Sequence, residues 1–345
     1  MRALVTGGSG FFGGLLVPAL VERGFECVSV DRQAGTPHPR VELVRGDAAE
    51  LAVLERSLAR GTPDVVFHLA SQIDFAVKSQ RSLYENNVAT TRAVVAFART
   101  HRIPKVIFTS SNSVYLGNRE RRPIAESDPP ATVDEYGRSK VESERILASA
   151  SSDLDAISIR CPNIMDAGRL GMLSILFDFI REGRKVWVLG NGSIRHQCIY
   201  AGDLIDACLK AIAHRGSGVF NIGSDNVPTI REMYQHVIDR AGTDARVASL
   251  PASIALPAMK LAHQLRMSPL GPYQFRMLTQ DFVFDTTKVR AALGWAPTLN
   301  NGQMLYKAYE YYLAHRLEIL SNPELSGNRQ TVKKLGVLRL LKMIS

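Results

Sequence analysis

The sequence has few cysteines and no long hydrophobic run. Its 345 residues include four cysteines, Cys27, Cys161, Cys198 and Cys208, and none of them forms a C-x-x-C pair or shows the spacing of metal ligands. We therefore expect reduced, buried cysteines and no metal. No uninterrupted apolar run approaches the roughly 20 residues that a membrane-spanning helix needs, so we expect no such helix.

The amino-terminal segment lacks the charged and apolar regions of a signal peptide. The strand-like residues 1–6 run directly into a glycine-rich turn, which leaves no room for such a signal. We therefore expect the protein to stay in the cytoplasm.

The net charge of +9 has no accompanying nucleic-acid signature. Basic residues are spread along most of the chain and are not interleaved with aromatic residues. An anionic nucleotide ligand is a sufficient explanation, so we expect a small-molecule partner and no nucleic acid. In the basic tail, residues 321–345, basic and apolar side chains do not separate cleanly on a helical wheel. This favours a docked or frayed tail, with contact to a membrane surface as the alternative.

Short apolar runs rich in β-branched residues alternate with helical periodicity through the first half of the chain. This pattern is typical of a parallel sheet that is covered by helices on both faces. It predicts an α/β fold with a doubly wound parallel Rossmann sheet. The predicted strands are Arg2–Thr6, Phe25–Val30, Val41–Val44, Asp64–Leu69, Lys105–Thr109, Ala156–Arg160 and Val219–Ile222.

After Arg160 the pattern loosens into clusters of glycine and turn residues. We expect residues 1–161 to form the first, nucleotide-binding domain, and residues 162–320 to form a smaller, discontinuous substrate domain. Parts of about 196–223 are expected to return to the first domain, so the boundary is not a single point.

A glycine motif follows the first strand and opens the first helix. It satisfies G-x-G-x-x-G with Gly8, Gly10 and Gly13, and G-x-x-G-x-x-G with Gly7, Gly10 and Gly13. Glycine lets the backbone approach a pyrophosphate, and the start of a helix supplies oriented N–H groups for the anion. The motif therefore predicts a dinucleotide site.

An acidic residue follows at the spacing expected for the adenosine ribose. Asp31 ends the second strand about 20 residues after the motif, where its carboxylate would accept hydrogen bonds from ribose hydroxyls and repel a 2′-phosphate. This favours NAD, although Arg32 leaves NADP open. Asp47 has two compatible interpretations, a cofactor contact and an N-cap of a helix from Ala49. His68 ends a strand at the ligand-binding edge, and we assign it no proton transfer.

Tyr136 and Lys140 stand four residues apart, hence on one face of a helix. Tyrosine titrates near 10 and is a poor base at neutral pH, but a neighbouring ammonium favours the phenolate. Ser111 follows a predicted strand, and its hydroxyl can hold a substrate oxygen during proton transfer. These three residues are the predicted catalytic group.

Together these features resemble the extended short-chain dehydrogenase/reductase superfamily, and in particular its NAD-dependent epimerase/dehydratase branch. The resemblance extends to about Pro297. The motifs that carry it are the glycine motif, Gly46–Asp47, His68–Ala70, Asn86–Val88, the serine run 110–113, the Tyr136 and Lys140 pair, Ile199–Leu204, Val219–Gly223, Phe284–Lys288 and Leu293–Trp295.

The resemblance implies roles for individual residues and a homodimer formed through the helices that carry Asn86 and Tyr136. The implied cofactor contacts are Gly7, Gly10, Phe11, Phe12, Gly13, Asp31, Arg32, Asp47, Ala48, Leu69, Ala70, Ser71, Asn86, Tyr136, Lys140 and Pro162. The implied substrate contacts are Ser111, Asn112, Asn163, Arg195 and Arg276.

Two departures from the family pattern bear on the reaction. The 4,6-dehydratases of the superfamily carry an acidic pair in the serine run, where this chain has Asn112 and Ser113, so water elimination is disfavoured. Sugar-nucleotide epimerases usually carry an arginine for the diphosphate at the position of His196. Here Arg195 stands one residue earlier, and Arg276 is a second candidate near the usual position.

Three functions remain open. The first, which we favour, is an NAD-dependent nucleotide-sugar epimerase that uses Tyr136 as acid and base. The second is a dehydrogenase similar to the 3β-hydroxysteroid branch, whose apolar insert the segment 250–265 resembles. The third is a non-catalytic dinucleotide-binding module, which usually loses the tyrosine or the lysine.

Overall fold

The structure is a computed structural model that describes residues 1–73, 80–117, 122–168, 170–171, 173–264 and 272–321. The predicted tail lies, from residue 322 onward, outside the described residues. The same holds for Leu265, the last residue of the segment that resembles an apolar insert.

Seven strands form one parallel sheet. They are β1 (Arg2–Thr6), β2 (Glu26–Asp31), β3 (Val41–Arg45), β4 (Val65–His68), β5 (Lys105–Ser111), β6 (Asp155–Cys161) and β10 (Gly218–Asn221). Their order across the sheet is β3-β2-β1-β4-β5-β6-β10, so the chain reverses its direction of winding between β1 and β4. Open parallel sheets bind ligands at the carboxyl ends of the strands beside this reversal.

Helices cover both faces of the sheet because its strands are apolar on both sides. On one face α1 (Gly13–Glu22), α6 (Ala201–Ala213) and α10 (Thr287–Leu293) pack on Ala3 and Val5 of β1. On the other face α2 (Leu51–Glu55), α3 (Gln80–Thr100) and α4 (Glu135–Ser149) pack around Leu4. Alternate residues of β1 therefore belong to different cores, as the period of two in a strand requires.

A second core lies beyond the sheet. Two small parallel sheets contribute to this region: β7 (Asn163–Met165) pairs with β9 (Cys198–Tyr200), and β8 (Lys185–Leu189) pairs with β11 (Arg246–Leu250). The helices of this part are α5 (Leu173–Arg181), α7 (Ile230–Ala241), α8 (Ala252–Gln264), α9 (Pro272–Met277) and α11 (Asn301–Ser321). Phe177, Tyr309 and Tyr312 are at the centre of this core.

The doubly wound parallel sheet confirms the predicted fold class. The ends of each predicted strand lie within two residues of the ends of an observed strand. β10 pairs with β6 in the large sheet, although the two strands are far apart along the chain. All four cysteines are free and buried. Within the ranges given above, no helix is long and apolar enough to cross a membrane.

Candidate functional site

The glycine motif forms the turn between β1 and α1, and it leaves no space for side chains at two positions. Gly7 has φ +76°, and a Cβ there would lie 2.7 Å from the Ala70 nitrogen. At Gly13 a Cβ would lie 2.3 Å from the Gly7 carbonyl oxygen. The start of α1 therefore touches the loop directly and directs its positive end toward the sheet edge.

Asp31 lies beside this loop at the end of β2. One carboxylate oxygen accepts a hydrogen bond from the Ser9 N–H at 3.0 Å, and the other accepts from the Gln33 N–H at 2.9 Å. These bonds fix the carboxylate at the rim of a cleft along the sheet edge.

The cleft collects residues from the ends of four strands and from α3. Its lining includes Gly7, Gly10, Asp31, Arg32, Asp47, Ala48, Leu69, Ala70, Ser71 and Asn86. Phe11 and Phe12 lie at the start of α1 instead, and the Phe12 side chain belongs to the hydrophobic core, so only its backbone can face a ligand.

Asp47 caps a turn, and the helix begins later than we expected. Its side chain accepts from the Ala49 N–H at 3.0 Å, but α2 starts at Leu51. The expected N-cap of a helix from Ala49 is therefore wrong, because the residues after Asp47 first complete a turn in which the Glu50 N–H donates to the Asp47 carbonyl oxygen.

Arg32 spans the cleft near its opening. Its guanidinium lies 3.7 Å from the Asp47 carboxylate, and with the Gln72 amide oriented to satisfy both of its ends, Arg32 donates to the Gln72 oxygen at 2.9 Å. Gln72 was not predicted from the sequence, because it joins the cleft only through the path of the chain after β4.

His68 is a neutral structural residue. Its ring lies between the Thr6 hydroxyl, 2.9 Å away, and the Thr91 hydroxyl, 3.0 Å away. Burial, and secondarily the cation of Lys140, lower the pKa of His68 to about 3. A ring that stays neutral cannot supply a proton at working pH, which agrees with the role expected from sequence.

The serine run continues β5 into a single 3₁₀ turn. The Ser111 hydroxyl accepts from the Ser113 N–H at 3.2 Å and from the Ser113 hydroxyl at 3.0 Å, and it lies 3.3 Å from the Asn112 side-chain oxygen. Ser111 is thus held at the carboxyl end of β5, opposite Cys161 of β6.

The first turn of α4 packs against this serine run. Asp134 caps the helix by accepting from the Gly137 N–H at 2.7 Å. A Cβ on Gly137 would lie 2.3 Å from the Ser113 carbonyl oxygen, so glycine is required for this close approach. Gly137 follows Tyr136 directly, so this contact places the turn that carries Tyr136 against the serine run.

Lys140 is buried one turn further along α4. Its ammonium donates to the Thr109 carbonyl oxygen at 2.9 Å and lies 5.6 Å from the centre of the Tyr136 ring. Burial lowers the pKa of Lys140 to about 8, while the charges of Cys161 and Glu144 act in the opposite direction. The structure thus places Lys140 beside Tyr136 and against β5, two residues before Ser111.

Asn87 connects the cleft to α4, and sequence reasoning assigned it no role. Its oxygen accepts from the Gln72 N–H at 2.7 Å, and its nitrogen donates to the Ser139 hydroxyl at 3.0 Å. The signal that could have found it is its position among the apolar residues of the buried face of α3, where an amide needs partners.

Comparison with known proteins decides the family. The sequence model of the NAD-dependent epimerase/dehydratase family matches residues 3–223. The chain belongs to this family. It is an NAD-dependent enzyme of the extended short-chain dehydrogenase/reductase type, as the resemblance implied.

Relatives of the chain differ in the activities that their names state. The uncharacterized protein y4nG of Sinorhizobium fredii is 34% identical over 320 residues, with 92% of this chain and 80% of that protein covered. The UDP-glucose 4-epimerase of Mycolicibacterium smegmatis is 28% identical, with 90% of this chain and 98% of that protein covered. The 3β-hydroxysteroid dehydrogenase/Δ5→4-isomerase of Mycobacterium tuberculosis is 27% identical, covering 96% of each chain.

A solved structure shows the same fold. The UDP-glucose 4-epimerase of Thermotoga maritima, crystallised with UDP-glucose, superimposes with a TM-score of 0.76 at 23% identity, covering 92% of this chain and all of that one.

NAD is the cofactor of the family, and the cleft fits it. The backbone at Gly7 and Gly13 has no room for side chains where a pyrophosphate must approach, and Asp31 presents a fixed carboxylate where an adenosine ribose would lie. The expected cofactor is thereby confirmed.

The residues expected on the substrate side are more dispersed. Asn163 is the exposed first residue of β7, and Asn112 is buried beside Ser111. Pro162, which was expected to contact the cofactor, is buried between β6 and β7. Arg276 lies on α9. With the Gln280 amide oriented to satisfy both of its ends, Arg276 donates to the Gln280 side-chain oxygen at 2.8 Å and the Gln280 nitrogen donates to the Leu116 carbonyl oxygen at 2.6 Å. Arg276 is thus linked to the loop that follows the serine run.

Arg195 and His196 face different surroundings. The Arg195 side chain is exposed, and its charge lowers the pKa of Glu232, behind the larger effect of hydrogen bonds from Thr229. His196 packs edge-on against Phe282, and burial lowers its pKa. The position that usually carries an arginine in sugar-nucleotide epimerases therefore carries no cation here.

Proposed function

We propose that this enzyme is a nucleotide-sugar epimerase that works through transient oxidation of one sugar carbon. The observation that carries the proposal is the buried Lys140 ammonium beside the Tyr136 ring, bonded to the Thr109 carbonyl oxygen of the strand that ends at Ser111. A phenol with a neighbouring cation can both accept and return a proton near neutral pH.

The chain's own residues handle the proton and the orientation of the substrate. Ser111 holds the reacting hydroxyl oxygen, and the Tyr136 phenolate accepts its proton. Lys140 stabilises the phenolate by its charge. The hydride acceptor and donor would be NAD held in the cleft, and inversion requires the keto sugar to turn before hydride returns to its other face. Tyr136 then gives its proton back to the oxygen, so neither the protein nor the cofactor changes over one cycle.

On the substrate side we assign the anionic part of the nucleotide to Arg276 and Arg195. Arginine suits a diphosphate because its planar guanidinium can form two parallel hydrogen bonds. Arg276 has the better support, since Gln280 links it to the loop after the serine run. Asn112 and Asn163 offer amide groups near the sugar.

The direct test is a panel of nucleotide sugars incubated with the enzyme and a catalytic amount of NAD. NMR follows the stereochemistry of the products, and absorbance follows NADH. We expect one epimer to form from one of the sugars without accumulation of NADH. The Tyr136→Phe variant is the control. Inertness toward every nucleotide sugar would contradict the proposal.

A second candidate is a dehydrogenase of an apolar secondary alcohol. Two observations favour it: the neutral His196 where a diphosphate arginine is usual, and α8, whose exposed Ile254 and Leu261 offer apolar surface. In this case the same residues take up the proton of the alcohol once, and the hydride would leave with the cofactor as NADH. Stoichiometric NADH with a hydroxysteroid would select this function.

For the assembly and its place in the cell, we propose a homodimer through α3 and α4 in the cytoplasm. The two helices lie side by side and share an ion pair, Arg92 with Glu142 at 3.6 Å. Light scattering on the purified protein should give twice the mass of one chain, and a mass of one chain would contradict the dimer.

A further inference from the structure

A buried ion pair lies behind the catalytic residues. Glu144 is on α4 and Arg160 is on β6, and their side chains are 7% and 5% exposed. The guanidinium donates to both carboxylate oxygens, with Nη2 at 2.6 Å from Oε2 and Nε at 2.9 Å from Oε1. The proposed mechanism makes no use of either residue.

The pair has further partners at the carboxyl ends of the strands. The Ser110 hydroxyl donates to Glu144, and the third guanidinium nitrogen of Arg160, Nη1, donates to the Tyr115 hydroxyl. The Tyr115 hydroxyl also lies 3.2 Å from the Ala125 carbonyl oxygen and 3.4 Å from the Asn221 side-chain oxygen on β10. One cluster therefore joins α4 to β5, β6 and β10.

The members of this cluster are neighbours of the catalytic residues in the chain. Glu144 follows Lys140 by four residues and Tyr136 by eight, so all three lie on one face of α4. Ser110 directly precedes Ser111. A displacement of Glu144 along the sheet would therefore move Tyr136 relative to Ser111.

Stability is a poor explanation for such a pair. Removing two charges from water costs several kcal/mol per ion, and replacing a buried pair by apolar residues is often neutral or stabilising. The hydrogen bonds of the pair form, however, in only one placement of α4 relative to β6.

We propose that Glu144 and Arg160 are positioning residues that hold the Tyr136 and Lys140 face of α4 in register with Ser111. This rests on the catalytic roles given to those three residues under Proposed function. The geometry requires that loosening the pair misplaces the proton-transfer group, and misplacement of about 1 Å can reduce a rate by about 100-fold.

The pair also acts on Lys140 through charge. The titratable groups that face the Lys140 ammonium are Glu144 on its own helix, Cys161 on β6 and His68 on β4, with Tyr136 one turn away. Burial lowers the pKa of Lys140, and the carboxylate of Glu144 opposes that effect. Removal of this carboxylate charge must therefore lower the pKa of Lys140 further.

The test uses Glu144→Gln, which keeps the shape of the side chain and removes its charge. NMR of the ¹³C-labelled lysines, assigned with Lys140→Met, reports the pKa of Lys140 in the NAD-loaded protein without any substrate. We expect this pKa to fall by about 0.5 or more. We expect kcat to fall about tenfold or more and the Kd for NAD to stay within about threefold.

A conservative variant separates charge from position. Glu144→Asp keeps the carboxylate but shortens its reach, so the pKa of Lys140 should remain near the parent value while kcat falls. A parental kcat in Glu144→Asp would contradict the positioning role.

Lys105→Met is the matched control. Lys105, like Arg160, is a buried cation, but it lies at the start of β5, at the opposite end of that strand from Ser111. It donates to the carbonyl oxygens of Ala211, Ile212 and His214 at the end of α6. Its loss should lower the melting temperature and leave both kcat and the pKa of Lys140 unchanged.

A second variant covers the case in which Glu144→Gln does not fold. Glu144→Gln combined with Arg160→Met leaves no unpaired buried charge, and it should fold with the same loss of kcat. The pKa of Lys140 should fall less than in Glu144→Gln, because the Arg160 cation is removed together with the carboxylate. A folded, NAD-binding variant with parental kcat and parental Lys140 titration would overturn the proposal. If the proposed epimerase function is wrong, the parent enzyme will be inert toward all nucleotide sugars. The titration of Lys140 can still be measured in that case, because it needs no substrate.

Discussion

At the scale of single residues, the chemistry depends on the charge state of Lys140. Burial lowers its pKa to about 8, so the ammonium dominates at pH 7 and is lost as the pH rises through 8. Without that charge the Tyr136 phenolate is less favoured. We therefore expect kcat to fall above about pH 8. A rate that stays constant to about pH 10, where an unperturbed lysine titrates, would contradict this role.

Tyr136 carries the proton in the proposed mechanism. Tyr136→Phe removes one oxygen and keeps the ring, so we expect kcat to fall by about 10² to 10⁴ with little change in the Kd for NAD, measured by calorimetry. Tyr306→Phe is the control, because Tyr306 packs at the edge of the second core. Near-normal turnover in Tyr136→Phe would place the acid and base elsewhere.

Asp31 should decide between NAD and NADP. Its fixed carboxylate repels a 2′-phosphate, so the parent enzyme should bind NAD more tightly than NADP. Asp31→Ala should weaken the binding of NAD about tenfold, because a hydrogen bond to a charged group is lost. It should also narrow the difference in affinity between NAD and NADP. Calorimetry gives both values. Tighter binding of NADP by the parent enzyme would refute the assignment.

At the scale of elements, the close approach of α1 to the glycine loop predicts different effects for substitutions at two adjacent glycines. A Cβ on Gly13 would lie 2.3 Å from the Gly7 oxygen, whereas a Cβ on Gly14 would meet nothing within 4 Å. Gly13→Ala should therefore displace α1 and weaken NAD binding by about tenfold or more. Gly14→Ala should keep NAD binding and stabilise the protein by about 0.5 to 1 kcal/mol. Equal NAD affinity in the two variants would contradict the requirement for close packing.

The elements of the large sheet could be predicted because their sequence signals are local. The apolar runs of β1 and β5 specify buried parallel strands on their own. The close contact of Gly137 with the Ser113 carbonyl oxygen could not be predicted, since it depends on how α4 lies against β5. The same is true of Asn87, whose partners Gln72 and Ser139 come from two other parts of the chain.

At the scale of the whole molecule, the nucleotide half of the site could be predicted from the sequence, whereas the substrate half could not. The glycine motif and Asp31 follow a fixed spacing because one strand–helix–strand unit builds that half. Arg195 and Arg276 belong to loops and short helices whose placement depends on the second core. Specificity in a shared fold is determined in such irregular regions, so the two arginines had no fixed spacing to identify them.

The central claim is that hydride leaves the substrate and returns to it within one cycle. The most direct measurement uses the responsive nucleotide sugar with deuterium at the carbon whose configuration changes, together with a catalytic amount of NAD. We expect an epimerised product that retains deuterium at that carbon, with no accumulation of reduced cofactor. Loss of the deuterium to solvent, or its stoichiometric release as reduced cofactor, would show that hydride does not return to the substrate.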